Sequence, residues 1–299
     1  MSATGFEFGV SKVLIARLIA DAERLATQLS DLGAALGGAG VSPLALNGVQ
    51  MVVPHDDAAQ LRTGLDSYFP ESDWLIGKDE IRIPNVFVSD MDSTMIGQEC
   101  IDELADYAGL KDKIADITER AMQGELDFED ALKERVTLLK GLPEDAIEQC
   151  LAERIRANPG ARTLVQTLKS KGCKTVLVTG GFHHFADRVG EELGFDLVVG
   201  NRLEVANGKL TGQLEGAIVD STTKRQVLEQ EAGVLDTRPW TLAIGDGAND
   251  IPMIEAATYG FAYHAKPKAK AASDGVIDKG DLTGVLSLLG ISENEWVRD

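Results

Sequence analysis

The sequence predicts an α/β protein with a doubly wound parallel sheet, a block of helices inserted after the sheet's first strand, and a small α/β unit in front. Three observations carry this prediction. Short apolar runs at 86–88, 175–178 and 241–244 each lead almost straight into a polar cluster, as strands buried on both faces do. Helical patterns such as 160–171 and 182–193 separate those runs, and strands alternating with helices make a parallel sheet. From about 97 to 158 only helical patterns occur.

Taken in order, 13–19 reads as a strand and 21–36 as a helix that begins on an Asp able to cap it. A glycine-rich break follows. Residues 44–46 and 49–53 then read as a hairpin turning on Asn47-Gly48, because both turn residues accept positive φ. Residues 57–69 form a second helix, and 74–76 open a last strand. This β-α-β-β-α-β order resembles a ferredoxin-like or ACT-type regulatory module in pattern. It divides the chain into a small N-terminal domain, 1–82, and a core, 83–299. Within the core, helices over 100–108, 111–122, 128–139 and 144–157 are expected to form a four-helix cap over the strand ends, inserted at about 97–158.

The chain has 299 residues, 44% of them apolar and 26% charged, which suits a globular protein with a sizeable core. Its net charge is −19 without a basic cluster, which argues against a nucleic-acid partner. No stretch reaches the roughly 18 apolar residues of a membrane span, and the apolar run 13–20 is broken by Arg17 and lacks a basic leader. Cys100, Cys150 and Cys173 form no paired spacing, so reduced thiols in the cytoplasm are the simple expectation. An acidic protein that handles a phosphate must cancel charge locally, and a divalent metal with a lysine would do so.

In an open α/β sheet, ligands bind outside the carboxyl ends of the strands, where all three polar clusters fall. Asp90-Met91-Asp92-Ser93-Thr94 carries two carboxylates two residues apart that can both face one pocket, able to serve as nucleophile and proton donor if their environments split their pKa values. Gly245-Asp246-Gly247-Ala248-Asn249-Asp250 offers hard oxygens of the kind Mg²⁺ prefers, although such residues are also common in turns. Thr179-Gly180-Gly181 could hold phosphoryl oxygens, and Lys224 could neutralise them. Alone, a lysine is more often a solvated surface group.

Together, in this order, the four pieces resemble the haloacid dehalogenase-like phosphatases, whose pattern is DxD[ST], [ST]G, Lys and GDGxND. The segments Gly97-Gln98-Glu99-Cys100-Ile101-Asp102-Glu103-Leu104-Ala105 and Met122-Gln123-Gly124-Glu125-Leu126-Asp127-Phe128, with Lys133-Glu134-Arg135-Val136, look like those of phosphoserine phosphatases. The likeness covers nearly all of 83–289 and leaves out the N-terminal unit. The resemblance implies a Rossmann-like core and hydrolysis of O-phosphoserine to serine and phosphate, the last step of serine biosynthesis. It also implies an aspartyl-phosphate on Asp90, with Asp92 as general acid and base. Mg²⁺ would be held by Asp90, Asp246 and the carbonyl of Asp92, with Asp250 in support.

Thr179, Gly180, Lys224 and Asn249 would hold the phosphoryl group. Glu99 would meet the substrate ammonium and Arg135 its carboxylate, while Met122 and Phe128 close the pocket. Glu and Arg suit those charges; without the resemblance, these four residues read as surface charges and core. Thr179 departs from the serine more usual in phosphoserine phosphatases, adding a methyl that could trim rate or fit. A phosphatase or phosphotransferase for another small phosphomonoester, and a serine-sensing protein, are the alternatives. The expected partner is the small-molecule substrate, and a homodimer stays open.

Overall fold

The computed structural model describes residues 13–44, 48–70, 72–78, 80–122, 125–235 and 238–298. Along β1 (Leu14–Ile19) buried and half-buried side chains alternate, as in a strand with one face on a core. Asp21 caps α1 (Ala22–Ala35) by accepting from the N–H groups of Glu23 and Arg24. Asp57 caps α2 (Ala58–Tyr68) through Gln60 N. β2 (Gly40–Leu44), β3 (Gly48–Val53) and β4 (Asp73–Gly77) join β1 in the antiparallel order β2-β3-β1-β4. The hairpin's first strand thus begins at Gly40, inside the glycine-rich segment, and not at residue 44. Pairing from Gly40↔Val52 to Leu44↔Gly48 recruits those glycines. Asn47, the expected turn residue, lies outside the described residues.

β5 (Val86–Ser89) is buried throughout and lies between β6 (Lys174–Phe182) and β9 (Thr241–Gly245), parallel to both. The chain winds outward from β6 through α8 (His183–Leu193) to β7 (Leu197–Ala206). It then returns past β5 to β9, β10 (Tyr259–Tyr263) and β11 (Gly275–Ile277), again in parallel. The order reverses at β5, so the loops leaving β5, β6 and β9 diverge around one crevice, where ligands of doubly wound sheets sit.

Between β5 and β6 lie α3 (Cys100–Tyr107), α4 (Lys111–Met122), α5 (Phe128–Leu138), α6 (Asp145–Arg154) and α7 (Ala161–Ser170). α6 ends earlier than 157, because the chain turns extended at Ile155 and pairs with the segment that entered the helical block. Gly97 N donates to Arg156 O at 3.2 Å and Asn158 N to Met95 O at 2.9 Å. Entry and exit of the block are thereby tied side by side.

A hairpin of β7 and β8 (Lys209–Glu215), turning on Asn207 and Gly208 with φ of 55° and 70°, was not expected from the sequence. Its tip binds the helical block: Gly141 N donates to Leu210 O at 2.8 Å, and Leu210 N to Leu142 O at 2.9 Å.

The N-terminal strands belong to the same 11-stranded sheet, since β4 pairs antiparallel with β11. The buried Asp73 accepts from the N–H groups of Asp278, Lys279 and Gly280 at 2.8, 2.9 and 2.9 Å. Arg17 donates to Leu288 O at 2.9 Å. Starting the chain at Arg82 would therefore unpair the β11 edge and strip three N–H groups of their acceptor. Unpaired edges associate and orphaned donors cost stability, so such a chain is expected to self-associate and unfold at lower urea. Size-exclusion chromatography and urea titration check this; a monomer as stable as the full chain would refute it. Among the described residues no helix is long and apolar enough to cross a membrane.

Candidate active site

The crevice holds a cavity of about 340 Å³ lined by residues from every polar cluster and from the helical block. Asp90, one step beyond β5, is buried, and its Oδ1 accepts from Met91 N at 2.8 Å. Lys224, carried on α9 (Ser221–Gly233), is 1% exposed. Its Nζ lies 2.7 Å from Asp90 Oδ1 and 2.7 Å from Asp250 Oδ1. Burial alone would lower the lysine pKa, but Asp250 and Asp90 outweigh it and raise it above the ordinary value. The ammonium therefore stays charged between two carboxylates.

After β9 the chain makes a tight turn through Gly245-Asp246-Gly247, then a 3₁₀ turn over Ala248–Asp250 that leads into α10 (Ile251–Ala256). Asp250 Oδ2 accepts from Asp246 N at 3.2 Å and Gly247 N at 3.0 Å, so both its oxygens are engaged. A Cβ on Gly245 would lie 2.3 Å from that carboxyl carbon, which makes glycine a steric necessity there. Oxygens of Asp90, Asp246 and Asp250 all lie within 4.8 Å of one another. Such a set of hard oxygens fits a divalent cation. Burial first, then the charge of Asp250, push Asp246 up to about 6 and Asp90 well above its usual range. Lys224 offsets this repulsion only in part.

Asp92 is pushed up to about 7 by burial and by the charge of Glu99, against the N–H of Cys100 that its Oδ1 accepts at 3.3 Å. A carboxyl so placed can carry a proton near neutrality. Asp92 Oδ2 would lie 2.9 Å from a Cβ on Gly181, so this glycine admits the carboxyl beside Thr179. Glu99 precedes α3 and accepts from Ser93 Oγ at 2.7 Å. Arg135 on α5 is half-buried and donates to Ala131 O at 3.3 Å, and burial lowers its pKa against the attraction of Asp102 and Glu99. Phe128, 40% exposed, reaches from the start of α5 across Gly180, whose absent Cβ would stand 3.2 Å from the ring.

A sequence model described as haloacid dehalogenase-like hydrolase matches residues 87–255, and another of the same description matches 238–289. A phosphoserine phosphatase of Idiomarina loihiensis is 46% identical over 209 residues, covering 70% of this chain and 94% of that protein. The chain belongs to the phosphoserine phosphatases, within the haloacid dehalogenase-like hydrolases. A phosphoserine phosphatase of Archaeoglobus fulgidus is 47% identical over 209 residues; the match covers 70% of this chain but 60% of that protein. A phosphoserine phosphatase solved as its phospho-aspartyl intermediate analogue shares 39% identity with a TM-score of 0.62, covering 69% of this chain and 98% of that one.

Of the residues expected for a phosphoserine phosphatase, Asp90, Asp92, Glu99, Phe128, Arg135, Thr179, Gly180, Asp246 and Asn249 line the one cavity. Lys224 and Asp250 lie behind Asp90, in contact with it or with each other. The side chain of Met122 lies outside the described residues. The sequence reading missed Ile101, Thr118, Leu132 and Lys266, which also line the cavity. The two aliphatic residues follow the same periodicity as core positions, and Lys266 belongs to no motif, so nothing in the sequence separated them.

Proposed function

We propose that this chain hydrolyses O-phosphoserine to serine and phosphate, with Mg²⁺ as its cofactor. The observation that carries the reading is the meeting of two sets of groups in one cavity: a carboxylate pair with a buried lysine behind it, and a Glu with an Arg of opposite sign.

An Asp90 oxygen attacks phosphorus as the bond to the serine oxygen breaks, and the Asp92 proton passes to that oxygen. Asp92, now ionised, takes a proton from water, whose oxygen attacks phosphorus and returns Asp90 as a carboxylate. Thr179, Gly180, Asn249 and Lys224 hold charge on the remaining phosphoryl oxygens. Mg²⁺, held by Asp90, Asp246 and the carbonyl of Asp92, would supply positive charge at the phosphoryl group, with Asp250 fixing the turn that presents Asp246. The helices α3–α6 act as a cap that excludes water, with Phe128 at its rim. In this reading residues 1–82 are a small α/β domain with a regulatory role, joined to the catalytic domain 83–299 through the pairing of β4 with β11. Three buried free thiols suit a cytoplasmic enzyme.

The test is phosphate release from phosphoserine, phosphohomoserine and phosphoethanolamine, with and without Mg²⁺. Phosphoserine should be preferred, and EDTA should stop its hydrolysis. Glu99→Gln and Arg135→Ala sharpen the test, because both residues are placed against the amino-acid part of the substrate. Losing a charged hydrogen-bond partner costs about 1.5–3 kcal/mol, or roughly ten- to a hundredfold in kcat/KM for phosphoserine. p-Nitrophenyl phosphate, which lacks both groups, should be nearly unaffected by Arg135→Ala and lose less than phosphoserine with Glu99→Gln, whose charge also acts on Asp92. Equal losses on both substrates would mean that these residues brace the cap and do not read the substrate.

A further inference from the structure

Thr179 is 1% exposed and lies on the cavity wall. Its Oγ1 accepts from Gly181 N at 2.9 Å, which leaves the hydroxyl hydrogen to donate elsewhere. The peptide that supplies this N–H is held at its other end too, where Asn201 Nδ2 donates to Gly180 O at 2.8 Å. Asn201 is 2% exposed, and its Oδ1 accepts from Val219 N at 2.8 Å, just before the helix that bears Lys224. One β7 side chain thus links the two segments that face the phosphoryl group.

Its neighbour Gly200 sits in the same strand without a positive φ, so the backbone does not require glycine there. Glycine inside a strand is a cost, and it often marks a close approach. The approach here is by Thr179: its Cγ2 lies 3.2 Å from where a Cβ of Gly200 would be, and Gly181 O lies 3.3 Å from it. The extra methyl of the threonine is seated against β7.

We propose that Gly200 and Asn201 are positioning residues for the Thr179 hydroxyl. Gly200 makes room for the methyl that fixes the rotamer, and Asn201 pins the Gly180–Gly181 peptide whose N–H turns the hydroxyl outward. This rests on the reading that Thr179 holds a phosphoryl oxygen.

A double-mutant cycle tests it, with kcat and KM for phosphoserine measured beside the melting temperature. Gly200→Ala should lower kcat about 10- to 100-fold, the scale of a small misplacement at a reacting centre, with little change in KM. In a Thr179→Ser background the same change should cost several-fold less than in the parent, because the closer of its two tight contacts, the threonine methyl, is gone while Gly181 O remains. Asn201→Asp keeps an acceptor for Val219 N but loses the donor to Gly180 O, and should also lower kcat about tenfold or more.

Equal effects of Gly200→Ala in the two backgrounds would overturn the role of Gly200. If Gly200→Ala does not fold, the Asn201→Asp arm decides, and parental kcat with an unchanged melting temperature overturns the proposal. Thr179→Val separates the underlying reading, since undiminished turnover without the hydroxyl would remove Thr179 from the site altogether.

Discussion

Asp90→Asn is expected to lower phosphoserine turnover by about 10⁴-fold or more, as loss of a nucleophile does, without weakening the fold. Burial, then the charge of Asp250, raise the Asp90 carboxyl well above its usual range despite Lys224. A carboxyl with a raised folded pKa holds its proton more tightly in the folded chain than in the unfolded one. Above the unfolded pKa its ionisation therefore opposes folding. The neutral amide removes that opposition, so at pH 7 in EDTA the variant's urea midpoint should equal or exceed the parent's. Trapping the intermediate from labelled phosphoserine should mark Asp90 in the parent chain. Label on a serine or histidine would end the mechanism, and a lower urea midpoint would end the account of the cluster's electrostatics.

Lys224→Met is expected to cost both activity and stability. The ammonium lies 2.7 Å from an oxygen of each of two buried carboxylates. Breaking a buried ion pair from one side typically costs about 3–5 kcal/mol, because the remaining charge is left uncompensated. Removing a preorganised charge from the phosphoryl oxygens should lower kcat about 10²- to 10³-fold. The stability deficit should shrink as pH falls through the raised pKa of Asp90, where protonation ends the repulsion from Asp250, and Mg²⁺ should recover part of it at pH 7. Urea titrations across pH with parallel kinetics check both effects. Unchanged stability at neutral pH would show that Lys224 does not hold the carboxylates together.

The N-cap at Asp21, the runs that became β5, β6 and β9, and the clusters at their ends were legible in the sequence. Each depends on neighbours within a few residues: a capping oxygen on the next turn, an apolar run that must be buried, or a carboxylate following a strand. The convergence of Asp90, Thr179 and Asp246 was legible too, because parallel strands deliver their carboxyl ends to one edge of the sheet.

What the sequence did not disclose depends on partners far along the chain. α6 stops at Arg154 because the residues after it pair with 95–97, and the pairing of β4 with β11 joins the N-terminal strands to the core. The turn at Asn207-Gly208 had its signal in plain view. That its hairpin braces the helical block appears only when Leu210 meets Gly141 and Leu142. Local chemistry, read from the sequence, determined which residues could act on a phosphate. Long-range hydrogen bonding and packing, present only in the folded chain, decided how they are held: Lys224 between two carboxylates, and Thr179 against Gly200.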